Sequence, residues 1–129
     1  MTSVPENSTL YQRVGGKEFF VDLVKKFYEG VESDPILRPL YPEDLAPGQA
    51  HLTLFLSQYW GGPRQYEMER GHPRLRMRHI AYSIGQAERD AWFGHMSNAV
   101  TAMNASPGDA ALLIGYFSDS ATFLMNRPA

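Results

Sequence analysis

Apolar positions recur at helical spacing from near the start of this chain to near its end. Phe20, Val24, Phe27 and Val31 fall three and four residues apart, which places them on one face of a helix. Leu52, Phe55, Leu56 and Tyr59 define a second such face. Trp92, Met96, Ala99 and Met103 define a third, and Leu113, Phe117, Ala121 and Leu124 a fourth. A short segment around Leu10 to Val14 precedes these and ends at Gly15-Gly16. The breaks between the faces carry turn chemistry. Ser33-Asp34-Pro35 ends the first long helix, because proline disfavours helical backbone in the residue before it. Pro35, Pro39 and Pro42 then bracket Leu37, Leu40 and Tyr41 in a tight corner with no room for long regular structure. Gly61-Gly62-Pro63 stops the second helix, and the polar residues 64–73 read as a loop. Gly85 opens the third helix, and Ser106-Pro107-Gly108-Asp109 reads as the capped start of the last.

One stretch is two-sided. Arg74-Leu75-Arg76-Met77-Arg78-His79 alternates polar and apolar with the period of a strand. No other segment offers it a partner strand, so helix is the better reading, with Leu75, His79 and Tyr82 on one face. The expectation is an all-α chain: a flexible N-terminal segment over residues 1–9 and a single domain over 10–127.

Composition narrows the chemistry. The 129 residues are 43% apolar and carry a formal net charge of -2, which suits one globular domain and gives no reason to expect nucleic acid as a partner. No apolar run approaches the roughly 20 residues of a membrane helix. The polar start has no secretory pattern, so a soluble cytoplasmic protein is expected. There is no cysteine, which excludes disulfides, thiolate metal sites and cysteine nucleophiles. Neither a phosphate-binding glycine loop nor a serine nucleophile elbow is present.

What remains is histidine, aromatic and arginine chemistry. Of His51, His72, His79 and His95, none forms a close metal-ligand pair. His72 reads as a loop residue and His95 as an exposed one. His79 stands out because it shares an apolar helix face, and a neutral imidazole facing an apolar slot is what a porphyrin iron needs on its proximal side. Tyr28, Tyr41, Tyr59, Trp60 and Trp92 sit on apolar stripes, where core packing is the ordinary explanation. Alternatively they converge as neutral hydrogen-bond donors, which suit the partial negative charge of a ligand on ferrous haem. Arg70, Arg74, Arg76 and Arg78 read as a solvated face, or as a partner for a carboxylate.

Read in order, Tyr59-Trp60-Gly61-Gly62-Pro63, then Arg70-Gly71-His72-Pro73-Arg74-Leu75-Arg76-Met77-Arg78-His79, then Glu88-Arg89-Asp90-Ala91-Trp92 closely resembles the group II truncated haemoglobins. Val14-Gly15-Gly16, Phe27-Tyr28 and Leu40-Tyr41-Pro42-Glu43-Asp44 are similar to the same family. The resemblance spans about residues 10 to 104. It implies a two-over-two helical sandwich around non-covalent haem b, with His79 as the iron ligand. It implies Trp92, Tyr41 and Tyr28 as the distal residues, and Leu52, Phe55 and Leu56 as the distal wall, with Leu75 on the side of His79. It implies Arg78 at a haem propionate, with His51 and Tyr66 as further contacts. Two departures go with it: Gly48 falls at the distal gate, where a side chain often stands, and His51 falls where many relatives carry lysine or arginine.

The function implied is reversible binding of dioxygen and other diatomics. The alternative is a haem oxidoreductase acting on peroxide or nitric oxide, with an external reductase; a homo-oligomer is left open. A helical interaction module without haem, its aromatics merely filling a core, is the reading that a colourless protein would support.

Overall fold

The computed structural model describes residues 8–71, 79 and 82–126, and every regular element among them is helical. Helix α1, Leu10–Arg13, is short and survives through its cap: Thr9 Oγ1 accepts from Gln12 N at 3.1 Å while Thr9 N donates to Gln12 Oε1 at 3.0 Å. Gly15 and Gly16 then turn the chain at φ 102° and 85°, left-handed backbone that glycine adopts without strain. Helix α2, Lys17–Glu32, buries Phe20, Leu23, Val24, Phe27 and Val31 almost completely. Asp34 opens the corner that follows: its Oδ1 accepts from Ile36 N at 2.7 Å and Leu37 N at 3.3 Å. The proline-rich stretch holds one 3₁₀ turn, Arg38–Leu40, and delivers Tyr41.

Helix α3, Ala46–Tyr59, is followed by α4, Gln65–Arg70. The second is a correction, since residues 64–73 read as a loop in the sequence. Its only buried residue is Tyr66, so it has no apolar stripe to betray it. It is held by polar contacts instead. Gln58 Oε1 accepts from Glu67 N at 2.8 Å, Arg64 pairs with Glu67, and Gln65 donates to Glu69 at 2.8 Å.

Helices α5, Gln86–Ala102, and α6, Pro107–Phe123, form the second half. Glu88 Oε1 accepts from Gly85 N at 2.7 Å at the start of α5, and Ser106 Oγ accepts from Asp109 N at 3.3 Å at the start of α6. Arg89 on α5 reaches Ser118 Oγ at 2.8 Å and Thr122 Oγ1 at 3.1 Å on α6.

The α2–α3 pair lies against the α5–α6 pair, two helices over two, with α2 touching both α3 and α5. Met96, Val100, Leu113, Phe117 and Leu56 meet the α2 stripe in the core. His95 departs from the expected exposed position. It is half-buried on α5 and rests on α2, where a Cβ at Gly30 would come within 2.3 Å of its Nδ1, and its Nε2 meets Asp34 Oδ2 at 2.6 Å. Among the described residues no helix is long and apolar enough to cross a membrane.

Candidate functional site

Between the two helix pairs lies a cavity of about 380 Å³, within the size range of small-molecule and cofactor sites. Its apolar lining comes from Leu37 and Leu40 at the corner, Leu52, Phe55 and Leu56 on α3, and Phe117, Ala121 and Leu124 at the end of the chain. Side chains with polar atoms join this lining in several groups.

One group is aromatic. Tyr28 from α2, Tyr41 from the corner and Trp92 from α5 all line the cavity. The Tyr28 and Tyr41 rings meet edge-on with centroids 5.7 Å apart. Phe27, fully buried, supports both sides: its ring is 5.3 Å from Tyr28 and 5.3 Å from Trp92. The Trp92 indole N–H, which can only donate, faces the Tyr41 hydroxyl closely enough to oppose the rise of its pKa. Burial pushes the Tyr28 phenol up to about 12. Burial also raises that of Tyr41, the Tyr28 neighbour adds to the rise, and the Trp92 hydrogen bond opposes it. Both phenols are therefore neutral donors throughout the physiological range.

A second group is basic. His51 Nε2 and Arg70 Nη1 are 3.3 Å apart at the cavity lining, and the Arg70 guanidinium lies 6.0 Å from the centroid of the buried Tyr66 ring. The third is His79, which lines the same cavity from a helical position. Its backbone is tied to the far end of the chain. Asn126 Nδ2 donates to His79 O at 3.3 Å and to Tyr82 O at 2.6 Å, while Asn126 Oδ1 accepts from Ile84 N at 2.8 Å and Asn126 N donates to Ile84 O at 2.9 Å.

The cavity thus brings together Tyr28, Tyr41, Trp92, Leu52, Phe55, Leu56, His51, Tyr66 and His79. Arg78 and Leu75 lie outside the described residues, as does the rest of the alternating stretch before His79. Sequence reasoning placed Arg70 only within an arginine set open to a solvated face or a carboxylate partner, and gave no role to Asn126. The signal for Arg70 was its place one turn after Tyr66 on a helix that the pattern did not reveal. Nothing in the local sequence marks Asn126.

The lining fits a haem. A flat apolar macrocycle needs an apolar slot, an imidazole and a basic edge for its carboxylates, and all three are present. Among the described residues no three His, Asp or Glu side chains gather to hold a bare metal ion.

Comparison with known proteins agrees with this geometry. A family model described as bacterial-like globin matches residues 9–125. The group 2 truncated hemoglobin YjbI of Bacillus subtilis (strain 168) is 37% identical over 112 residues, covering 87% of this chain and 85% of that protein. The hemoglobin of the actinobacterium Thermobifida fusca superposes with a TM-score of 0.92 at 50% identity, covering 95% of this chain and 100% of that one. A structure described as the truncated oxygen-avid haemoglobin from Bacillus subtilis superposes with a TM-score of 0.87 at 35% identity, covering 92% and 100%. The chain belongs to the bacterial-like globin family and is a truncated haemoglobin of the second group, with the two-over-two fold of that family.

Proposed function

We propose that this protein binds haem b non-covalently through His79 and uses Trp92, Tyr41 and Tyr28 to retain dioxygen, or another diatomic, reversibly. The observation that carries the proposal is the single cavity lined by His79 and by three neutral donors from three separate elements. The haem, when bound, supplies the iron centre at which a diatomic ligand is taken up. The chain supplies the rest. His79 presents an imidazole from a segment fixed by Asn126. His51 and Arg70 offer the propionates a charge-assisted edge, and Arg78 is assigned the same role from the family resemblance. The leucine and phenylalanine lining excludes water, which strengthens every hydrogen bond made inside.

The donors hold the ligand. Each net hydrogen bond of about 1 kcal/mol slows release roughly fivefold, so two or three together give slow release. Slow release is in keeping with the oxygen-avid description of the Bacillus subtilis structure. The test is the visible spectrum of the haem-loaded protein, reduced and then exposed to oxygen, for wild type and His79→Ala. A stable oxygenated spectrum in wild type, lost or strongly altered in the variant, supports the proposal. A protein that stays colourless after haem addition overturns it.

The Tyr28–Tyr41 contact favours a second reading, a haem oxidoreductase acting on peroxide or nitric oxide with an external reductase. Two neutral phenols in edge contact at the cavity can give up protons and electrons. Turnover with peroxide and a reducing substrate that falls in Tyr28→Phe supports this role for Tyr28; unchanged turnover removes Tyr28 from it.

A further inference from the structure

A glycine inside a helix costs stability relative to alanine, so a helical glycine calls for a local reason. Two helices here begin with the same dipeptide. Pro47-Gly48 lies in the first turn of α3 and Pro107-Gly108 in the first turn of α6. The two glycines have different surroundings. A Cβ built at Gly108 meets nothing within 4 Å. A Cβ built at Gly48 falls 2.8 Å from the Tyr28 hydroxyl oxygen and 3.7 Å from its Cζ, and the first is closer than real side-chain carbons approach.

Tyr28 cannot yield cheaply. A phenol is rigid beyond its two torsions, and the ring is held by edge contacts with Phe27 and Tyr41. It is also buried, at 6% exposure. A methyl group at position 48 must therefore push the Tyr28 hydroxyl along the cavity or push the first turn of α3 away from α2.

We infer that Gly48 is a positioning residue: the missing side chain is the seat of the Tyr28 hydroxyl, and it fixes where that donor points in the cavity. This differs from a gate, which acts by leaving an entrance open. A gate governs entry and exit whether or not Tyr28 has a hydroxyl. A seat matters only while the hydroxyl is there. The ligand part of the inference rests on the haem reading above; the structural part stands without it.

The test is a double-substitution cycle with Gly48→Ala, Tyr28→Phe and the pair, and Gly108→Ala as the control. Thermal unfolding of the purified protein is followed with and without added haem, and oxygen release is followed in the haem-loaded form. Gly108→Ala is expected to raise the melting temperature, as alanine does at an open helical site. Gly48→Ala is expected to lower it, or to gain none, and to speed oxygen release roughly fivefold or more, the effect of one lost hydrogen bond. In the Tyr28→Phe background the same alanine is expected to stabilise as at position 108 and to leave release within about twofold.

Equal gains for Gly48→Ala and Gly108→Ala in the wild-type background overturn the seat. So does a Gly48→Ala effect that persists undiminished without the hydroxyl, with slowed entry as well as altered release, which is the behaviour of a gate. Failure to take up haem leaves the melting cycle intact and counts against the haem reading alone.

Discussion

Two of the polar regions of the cavity are built by different means. Tyr28, Tyr41 and Trp92 are held by rings: Phe27 touches two of them, Tyr28 and Tyr41 meet edge-on, and the Trp92 indole faces the Tyr41 hydroxyl. The segment carrying His79 is held by hydrogen bonds. Asn126, exposed and near the end of the described chain, contacts the backbone of His79, Tyr82 and Ile84 from 47, 44 and 42 positions away in sequence. Close-packed rings resist small displacements, because each shift opens a void or a clash. Exposed hydrogen bonds are worth less and exchange with water. The donor wall is therefore expected to be stiffer than the Asn126 tether to the backbone of His79, Tyr82 and Ile84.

Substitutions sharpen this contrast. The largest effect is expected from Phe27→Ala. It removes a fully buried ring shared by Tyr28 and Trp92, and should cost about 3–5 kcal/mol in denaturant unfolding. Next is Trp92→Phe, which keeps the ring packing and deletes the N–H. Oxygen release from the haem-loaded protein should quicken at least about fivefold while the unfolding midpoint moves little. Asn126→Ala should cost roughly 1 kcal/mol or less globally, yet speed amide exchange at Ile84 far more than in the α2 core. Equal exchange changes in both places would erase the distinction between a packed and a tethered half.

The smallest effect concerns the corner that delivers Tyr41. The His95 hydrogen bond holds the Asp34 carboxyl below the usual carboxylate range, against the opposing effect of burial, with the Ile36 and Leu37 amides helping. A carboxyl depressed on folding contributes stability that is present above its unfolded value of about 3.9 and lost as pH falls through the lower folded value. Asp34→Asn should therefore flatten the acid limb of the stability profile below about pH 4 and leave its shape near neutrality unchanged. An unaltered acid limb, measured by denaturant unfolding between pH 2.5 and 6, would remove the corner pair from the account.

Legibility in the sequence follows the same division. Phe20, Val24, Phe27 and Val31 announced α2, and Leu52, Phe55 and Leu56 announced α3, because burial writes a periodic stripe. Tyr28, Tyr41 and Trp92 could be picked out by type and by family resemblance, but their convergence depends on three elements and is visible only in the fold. Helix α4 was missed because Tyr66 alone faces inward and ion pairs do the rest. His95 was misread as exposed because its partner, Asp34, comes from another element, and because Gly30 makes the room beneath it. Asn126 carries no pattern at all. Long-range polar contacts leave no local period, so the sequence singled out His79 but could not show the Asn126 tether that holds its backbone.

The central claim is that the ring-built wall grips a ligand in the cavity. Its most direct test is the oxygen dissociation rate of the haem-loaded protein, for wild type, Trp92→Phe and Tyr28→Phe. The account predicts slow release in wild type and an acceleration of at least about fivefold in each variant. Fast release in wild type, unchanged by either substitution, would contradict it and return Trp92 and Tyr28 to packing alone.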